Sequence, residues 1–155
     1  MKVDKPPFCS ESEYKERPAM QVLSLPGKGD PLLTFDAKVV EILEWLKQGN
    51  MVPTGPTLGI YYLNRQEVGV EQVVWEACVP VAPVLQGKSP FRYQELPRVK
   101  VASTVLTGGY DLIGSALHYL EQVAKDQGKK ISFPLTEIYL REEKQPITEL
   151  QYVVV

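Results

Sequence analysis

Hydrophobic positions along this chain follow two periods. In AMQVLSL (Ala19–Leu25) and VKVASTVL (Val99–Leu106), apolar and β-branched residues partly alternate, and each run follows a proline, the pattern of a strand. The period then lengthens. Leu32, Phe35, Val39, Ile42, Leu43 and Leu46 recur at helical spacing behind Asp30-Pro31, an N-cap with proline at the first helical position, and the run stops at Gly49. Ile113, Ala116, Leu117, Leu120 and Ala124 make a second amphipathic stripe that stops at Gly128. Two short apolar runs follow each helix: TLGIYYL (57–63) and QVVWEACVPV (72–81), then LTEIYL (135–140) and ELQYVVV (149–155). The predicted order is β-α-β-β, twice.

The words repeat as well as the grammar. YKERPAMQVLSL from Tyr14 is echoed by YQELPRVKVASTVL from Tyr93, and an offset of 79 carries Pro18 onto Pro97, Val22 onto Val101 and Gly49 onto Gly128. Beyond the helices the offset becomes 78, which lays TLGIYYL over LTEIYL, Gly59 over Glu137, Tyr61 over Tyr139 and Glu71 over Glu149. A unit too small to bury its own apolar face needs a twin. We therefore expect one α+β domain over 1–155, built from repeats at 14–81 and 93–155 joined by a linker at 82–92, with the linker as a lid the alternative. A helix covers one face of each sheet, so two uncovered faces meeting about a pseudo-two-fold axis would enclose a groove lined by every second strand residue.

Composition narrows the classes. The chain is 44% hydrophobic and 23% charged, ordinary for a globular domain, and its net charge of −2 is scattered. That gives no basic stripe for nucleic acid and no polybasic membrane patch. Cys9 and Cys78 lack metal-ligand spacing and read as reduced structural thiols; no cofactor or metal is expected. No signal-like apolar core opens the chain and no run of eighteen apolar residues occurs, which places it in the cytoplasm. The single histidine, His118, sits on the polar side of the second helix with Asp111, Ser115 and Gln122, and Gly27-Lys28-Gly29 reads as a turn.

Taken in order, TLGIYYL, VVWEACVPV, YQELP, GGYDLIGSALHYLEQV and LTEIYL resemble the GyrI-like, or bacterial effector-binding, domain, also found as the C-terminal ligand-binding half of AraC-type and MerR-type multidrug regulators. The resemblance covers about residues 14 to 155. It implies duplicated β-α-β-β units with pseudo-two-fold symmetry, a curved, barrel-like antiparallel sheet with a helix on each half, and a cleft for hydrophobic, aromatic and cationic molecules around a buried glutamate. It also implies three functional classes: sensing or sequestration, hydrolysis of cyclopropane-bearing natural products, and contact with gyrase or a regulator protein.

The residues themselves supply candidates. In VVWEACVPV, Glu76 shares a face with Val74 and Cys78, and a carboxylate in so apolar a strand is costly to bury unless paired. It reads as the anchor for a cation, or as an edge glutamate reaching water, Lys or Tyr; the family's acidic position favours the anchor. Glu137 in LTEIYL is the second acid, with a solvated strand end after Phe133-Pro134 the stronger alternative, and Glu76 with Glu137 would be the catalytic pair if the chain is an enzyme. Tyr61, Tyr139 and Tyr110 are the candidate aromatic walls, with core packing the alternative for each. Tyr62 is expected to pack on a helix. Trp75 opposes Glu76 in parity and reads as helix-facing core, unless a bulge turns it to the ligand side.

Overall fold

Among the residues described by the structure, a computed structural model covering 3–63, 67–83 and 91–155, eight strands and two α-helices form, and every described pairing is antiparallel. Residues 84–90, the middle of the linker and of its alternative reading as a lid, lie outside the described residues. Contacts divide the chain into two units: Pro18–Arg98, and Met1–Arg17 together with Val99–Val155.

In the 18–98 unit, β2 (Met20–Lys28) leads through Gly29 to helix α1 (Pro31–Gln48), and β3 (Leu58–Tyr61), β4 (Val74–Pro80) and β5 (Arg92–Leu96) follow. The strands order as β3-β4-β2-β5. Asp30 caps α1 through its side chain, which accepts from the Leu32 N–H at 3.0 Å, with Pro31 next in line, and the Gly49 N–H closes the helix on Leu46. The buried stripe is narrower than the sequence period suggests: Phe35, Ile42 and Leu46 are enclosed, while Leu32 is 76% and Leu43 38% exposed.

β2 also runs further than expected, through Pro26 and Gly27 to Lys28. Among the described residues β5 pairs only as far as Ser24↔Arg92, so Pro26 interrupts no described ladder on that side of β2. Gly27 is thus strand rather than turn, lying opposite Trp75, and the turn itself is Gly29 at φ 98°.

The other unit orders β1 (Glu13–Arg17), β6 (Val99–Thr107), β8 (Ile147–Val154) and β7 (Ile131–Arg141). Helix α2 (Ile113–Asp126) packs on β6 behind a short 3-10 turn at Tyr110–Leu112, burying Ile113, Ala116, Leu120 and Ala124, and Gly128 ends it at φ 68°. The short strand heading the first repeat therefore pairs with β6, and the one heading the second, β5, pairs with β2. Similar pairings recur in the two units: Ser24 faces Cys78 and Ile60 faces Glu76, as Ser103 faces Gln151 and Ile138 faces Glu149.

Candidate functional site

Register decides which side chains share a face. In the 18–98 unit, Trp75 stacks at 5.5 Å on Phe35 of α1 and is fully buried, so the helix side of this sheet carries Trp75 and its cross-strand partners Tyr61 and Gly27. A side chain at Gly59 would meet Phe35 and Tyr61 at 3.0 Å, which places the Tyr61 ring there too. Glu76 is on the opposite face, 5% exposed. Its Oε2 accepts from Ser24 Oγ and from Gln94 Nε2, both at 2.8 Å, and its Oε1 accepts from the Tyr62 hydroxyl. Arg92 approaches Oε2 at 3.8 Å. Burial, followed by the hydrogen bond to Glu76, pushes the Tyr62 phenol well above its ordinary range.

The parity read from sequence for the two tyrosines is therefore reversed: Tyr62, expected on a helix, serves Glu76, and Tyr61, expected in a groove with Glu76, packs beside Phe35. Trp75 sits where its parity put it, with Nε1 donating to the Gly29 carbonyl at 3.1 Å, and no bulge brings it to Glu76.

The second unit repeats this constellation around a residue that sequence reasoning passed over. Glu149 holds the register position of Glu76, whereas the sequence offset had set it over Glu71. It accepts from Ser103 Oγ at 2.7 Å and Gln151 Nε2 at 2.8 Å, and Lys15 of β1 meets it at 2.7 Å. The signal was available as Glu76-Ala77-Cys78 over Glu149-Leu150-Gln151, but unequal loops before the last strands hid it. Burial pushes the Glu149 carboxyl up, yet the bonds from Lys15, Gln151 and Ser103 outweigh it and hold the group below its ordinary 4.5. For Lys15, burial works downward and Glu149, together with Glu13, more than reverses it, so its ammonium is held above 10.5.

The depressed carboxyl contributes stability above 4.5 that is lost as pH falls through its folded value, and the raised ammonium contributes below 10.5 what is lost on rising through its own. Glu149→Gln should thus cost about 1–2 kcal/mol at neutral pH, kept small because Lys15 is partly solvated. Urea unfolding across pH should show a plateau difference that shrinks at both extremes; a difference unchanged at pH 3 would refute the pairing.

Glu137 lies on the other face of this same sheet. Tyr152 donates to Glu121 of α2 at 2.8 Å, which fixes the helix side, and Leu150 and Thr148 share it with their register partners Glu137 and Tyr139. Glu137 is 2% exposed and accepts from the Tyr139 hydroxyl at 2.9 Å. The Tyr139 ring meets Tyr110 edge-on, with centroids 6.1 Å apart at 86°, and Tyr110, in the turn before α2, is 42% exposed. The structure thus gathers three of the predicted residues, Glu137, Tyr139 and Tyr110, into one cluster that runs from a buried carboxylate to a ring at the surface. Glu76, Trp75 and Tyr61 belong to the other unit, Glu76 on one face of its sheet and the two rings on the other. Among the described residues no group of three or more His, Cys, Asp or Glu is placed to hold a metal, and no helix is long and apolar enough to cross a membrane.

This architecture is shared with solved structures. A chain of EcmrR in a DNA complex superposes with a TM-score of 0.82 at 18% identity, over 95% of this chain and 57% of that longer one. The isolated EcmrR C-terminal domain gives 0.76 at 18% identity, over 94% and 97% of the two chains. A Listeria innocua protein named a hydrolase gives 0.69 at 15%, over 94% and 92%, and SAV2435 bound to tetraphenylphosphonium gives 0.61 at 9%, over 94% of each. At such identities the likeness is one of fold. No curated protein sequence matches the chain. The description of a GyrI-like small molecule binding domain fits residues 10–154, nearly the whole length, and the chain belongs to that family.

Proposed function

We propose that this domain binds lipophilic small molecules, aromatic and positively charged ones above all, at the Glu137–Tyr139–Tyr110 cluster, and that it acts by sensing or sequestering them. The observation that carries this is the placement of Glu137: a carboxylate 2% exposed on the helix side of an apolar strand, held by a phenol whose ring leads to a half-exposed second ring. An ionised carboxylate is costly to bury, and a cation arriving beside it offsets that cost. Tyrosine faces add apolar area and a negative π surface. Two neighbours support the reading. SAV2435 is bound to tetraphenylphosphonium, a lipophilic aromatic cation, and EcmrR carries its matching domain within a DNA-bound chain.

Thermal melting against a panel of aromatic cations, tetraphenylphosphonium included, tests it. Wild type should shift upward with ligand, and Glu137→Gln should weaken binding about tenfold or more while leaving the apo melting temperature close to wild type. A panel bound equally well by both proteins would sink the proposal. A second reading, hydrolysis of cyclopropane-type natural products with Glu137 as the acid–base residue, is favoured by the neighbours named hydrolases. Ring-opened product from wild type, with binding retained but turnover lost in Glu137→Gln, would select it.

A further inference from the structure

Across the ladder from Tyr139, on the same helix-side face, stands a polar residue with no role in the cluster described so far. Thr148 is the register partner of Tyr139 on one side and of Leu106 on the other, and it is 1% exposed. Its Oγ1 is buried and makes no hydrogen bond among the described residues. Leaving a buried hydroxyl unsatisfied is unfavourable, and valine would fill the same space in a strand without that cost. The ladder is also irregular at this point: Tyr139 faces Thr148 but Arg141 faces Ile147, so β7 carries an extra residue beside the site. Bulges of this kind re-aim side chains and concentrate next to functional sites.

We infer that Thr148 Oγ1 is the second hydrogen-bond acceptor for the bound cation, and that the site prefers protonated amines to quaternary cations of the same size. The inference rests on the reading of Glu137 given above. Directly opposed side chains on an antiparallel pair have their Cβ atoms about 4.5–5.5 Å apart, and diagonal ones about 7–8 Å. A cation centred on the Tyr139 ring therefore has Glu137 two residues along its own strand and Thr148 across the ladder. An ammonium with free N–H groups can donate to both oxygens at once, whereas a quaternary centre offers a hydroxyl nothing. A site built to satisfy a hydrogen bond rejects the analogue that lacks it more firmly than an apolar wall can.

The test uses a matched ligand pair, a lipophilic aromatic secondary amine below its pKa, which carries two N–H groups, and its N,N-dimethylated quaternary analogue, titrated calorimetrically into the full chain. Wild type should favour the protonated amine about tenfold. Thr148→Val should abolish that preference by weakening the amine alone, with an unchanged or higher melting temperature, and Thr148→Ser should keep the preference. Persistence of the preference in Thr148→Val overturns the inference, as does an equal loss for both ligands or a clear fall in melting temperature, which would make the hydroxyl structural. If Glu137→Gln weakens both ligands while Thr148→Val leaves their ratio intact, only the present inference fails. If wild type binds neither ligand, the reading of the Glu137 site fails with it.

Discussion

Glu76→Ala should lower the stability of the chain by about 3–5 kcal/mol, from the donors it strands and the cavity it leaves. Ser24 is fully buried and gives its hydroxyl to Glu76 Oε2, and Gln94 gives its amide to the same oxygen. Ser24 Oγ and Gln94 Nε2 keep other acceptors, the Arg92 carbonyl at 3.4 Å and Ser24 Oγ at 3.0 Å; each donor these do not fully satisfy costs about 1–3 kcal/mol, and the missing side chain adds a cavity on a face that also encloses Cys78 and Ile60. Arg92 adds little, because its side chain is 58% exposed and 3.8 Å away. Glu76→Gln keeps one acceptor oxygen but turns an amide donor toward other donors, and should cost about 1–2 kcal/mol. A second readout isolates the cause. The Tyr62 phenol is raised chiefly by burial and next by its bond to Glu76, so its ultraviolet titration in Glu76→Ala should fall toward 10 without reaching it. Urea unfolding that showed less than 1 kcal/mol for the alanine variant would mean that water already serves these groups.

The arrangement also explains how two edge strands are tied in. β5 is held to its sheet through Gln94 and Glu76, and β1 through Lys15 and Glu149, so the same carboxylate position on β4 and on β8 reaches the strand beyond its immediate neighbour. Each tie crosses an intervening strand that supplies a serine, Ser24 or Ser103. Lys15 carries a charge where Gln94 carries an amide, which is why pH reaches one tie through Lys15 as well as through its carboxylate.

Much of the fold is legible from periodicity, because an amphipathic helix with a cap and a stop, such as Asp30-Pro31 to Gly49, states its own limits. Strand faces are less legible. Parity within VVWEACVPV separates Trp75 from Glu76 correctly, since it needs only one strand. Deciding whether Tyr61 or Tyr62 joins Glu76 needs the pairing of two strands, and the register Ile60↔Glu76 gives Tyr62, the opposite of the guess from sequence. Glu149 was lost for the same reason, one loop further on. Glu137 could be flagged from LTEIYL as a candidate acid, with a solvated strand end the stronger alternative, but its burial, its phenolic donor two residues along the strand and its place on the helix side depend on the bulged β7–β8 ladder. Gly27 was misread because glycine flanked by proline and lysine resembles a turn, and nothing local to it reports the indole that lies opposite.

That indole makes Gly27→Ala the other large effect. A methyl group at Gly27 would lie 2.3 Å from Cη2 and Cζ2 of Trp75, far inside contact distance. The ring has nowhere to retreat: Trp75 is fully buried, tilted at 44° against Phe35, and tethered by its N–H to the Gly29 carbonyl. Either β2 separates from β4 at this pair or the indole leaves its site, and overpacking of this severity should cost about 3 kcal/mol, at or above the upper end for an added methyl group. Glycine is therefore required at this strand position for space rather than for backbone freedom, since Gly27 has no positive φ. The test is a double-mutant cycle. Trp75→Phe alone should destabilise by leaving a void, yet combined with Gly27→Ala it should recover at least 1 kcal/mol relative to the sum of the two, because the smaller ring vacates the space the methyl needs. Strict additivity would show that the alanine methyl is accommodated by backbone movement, and that the indole does not dictate the residue facing it.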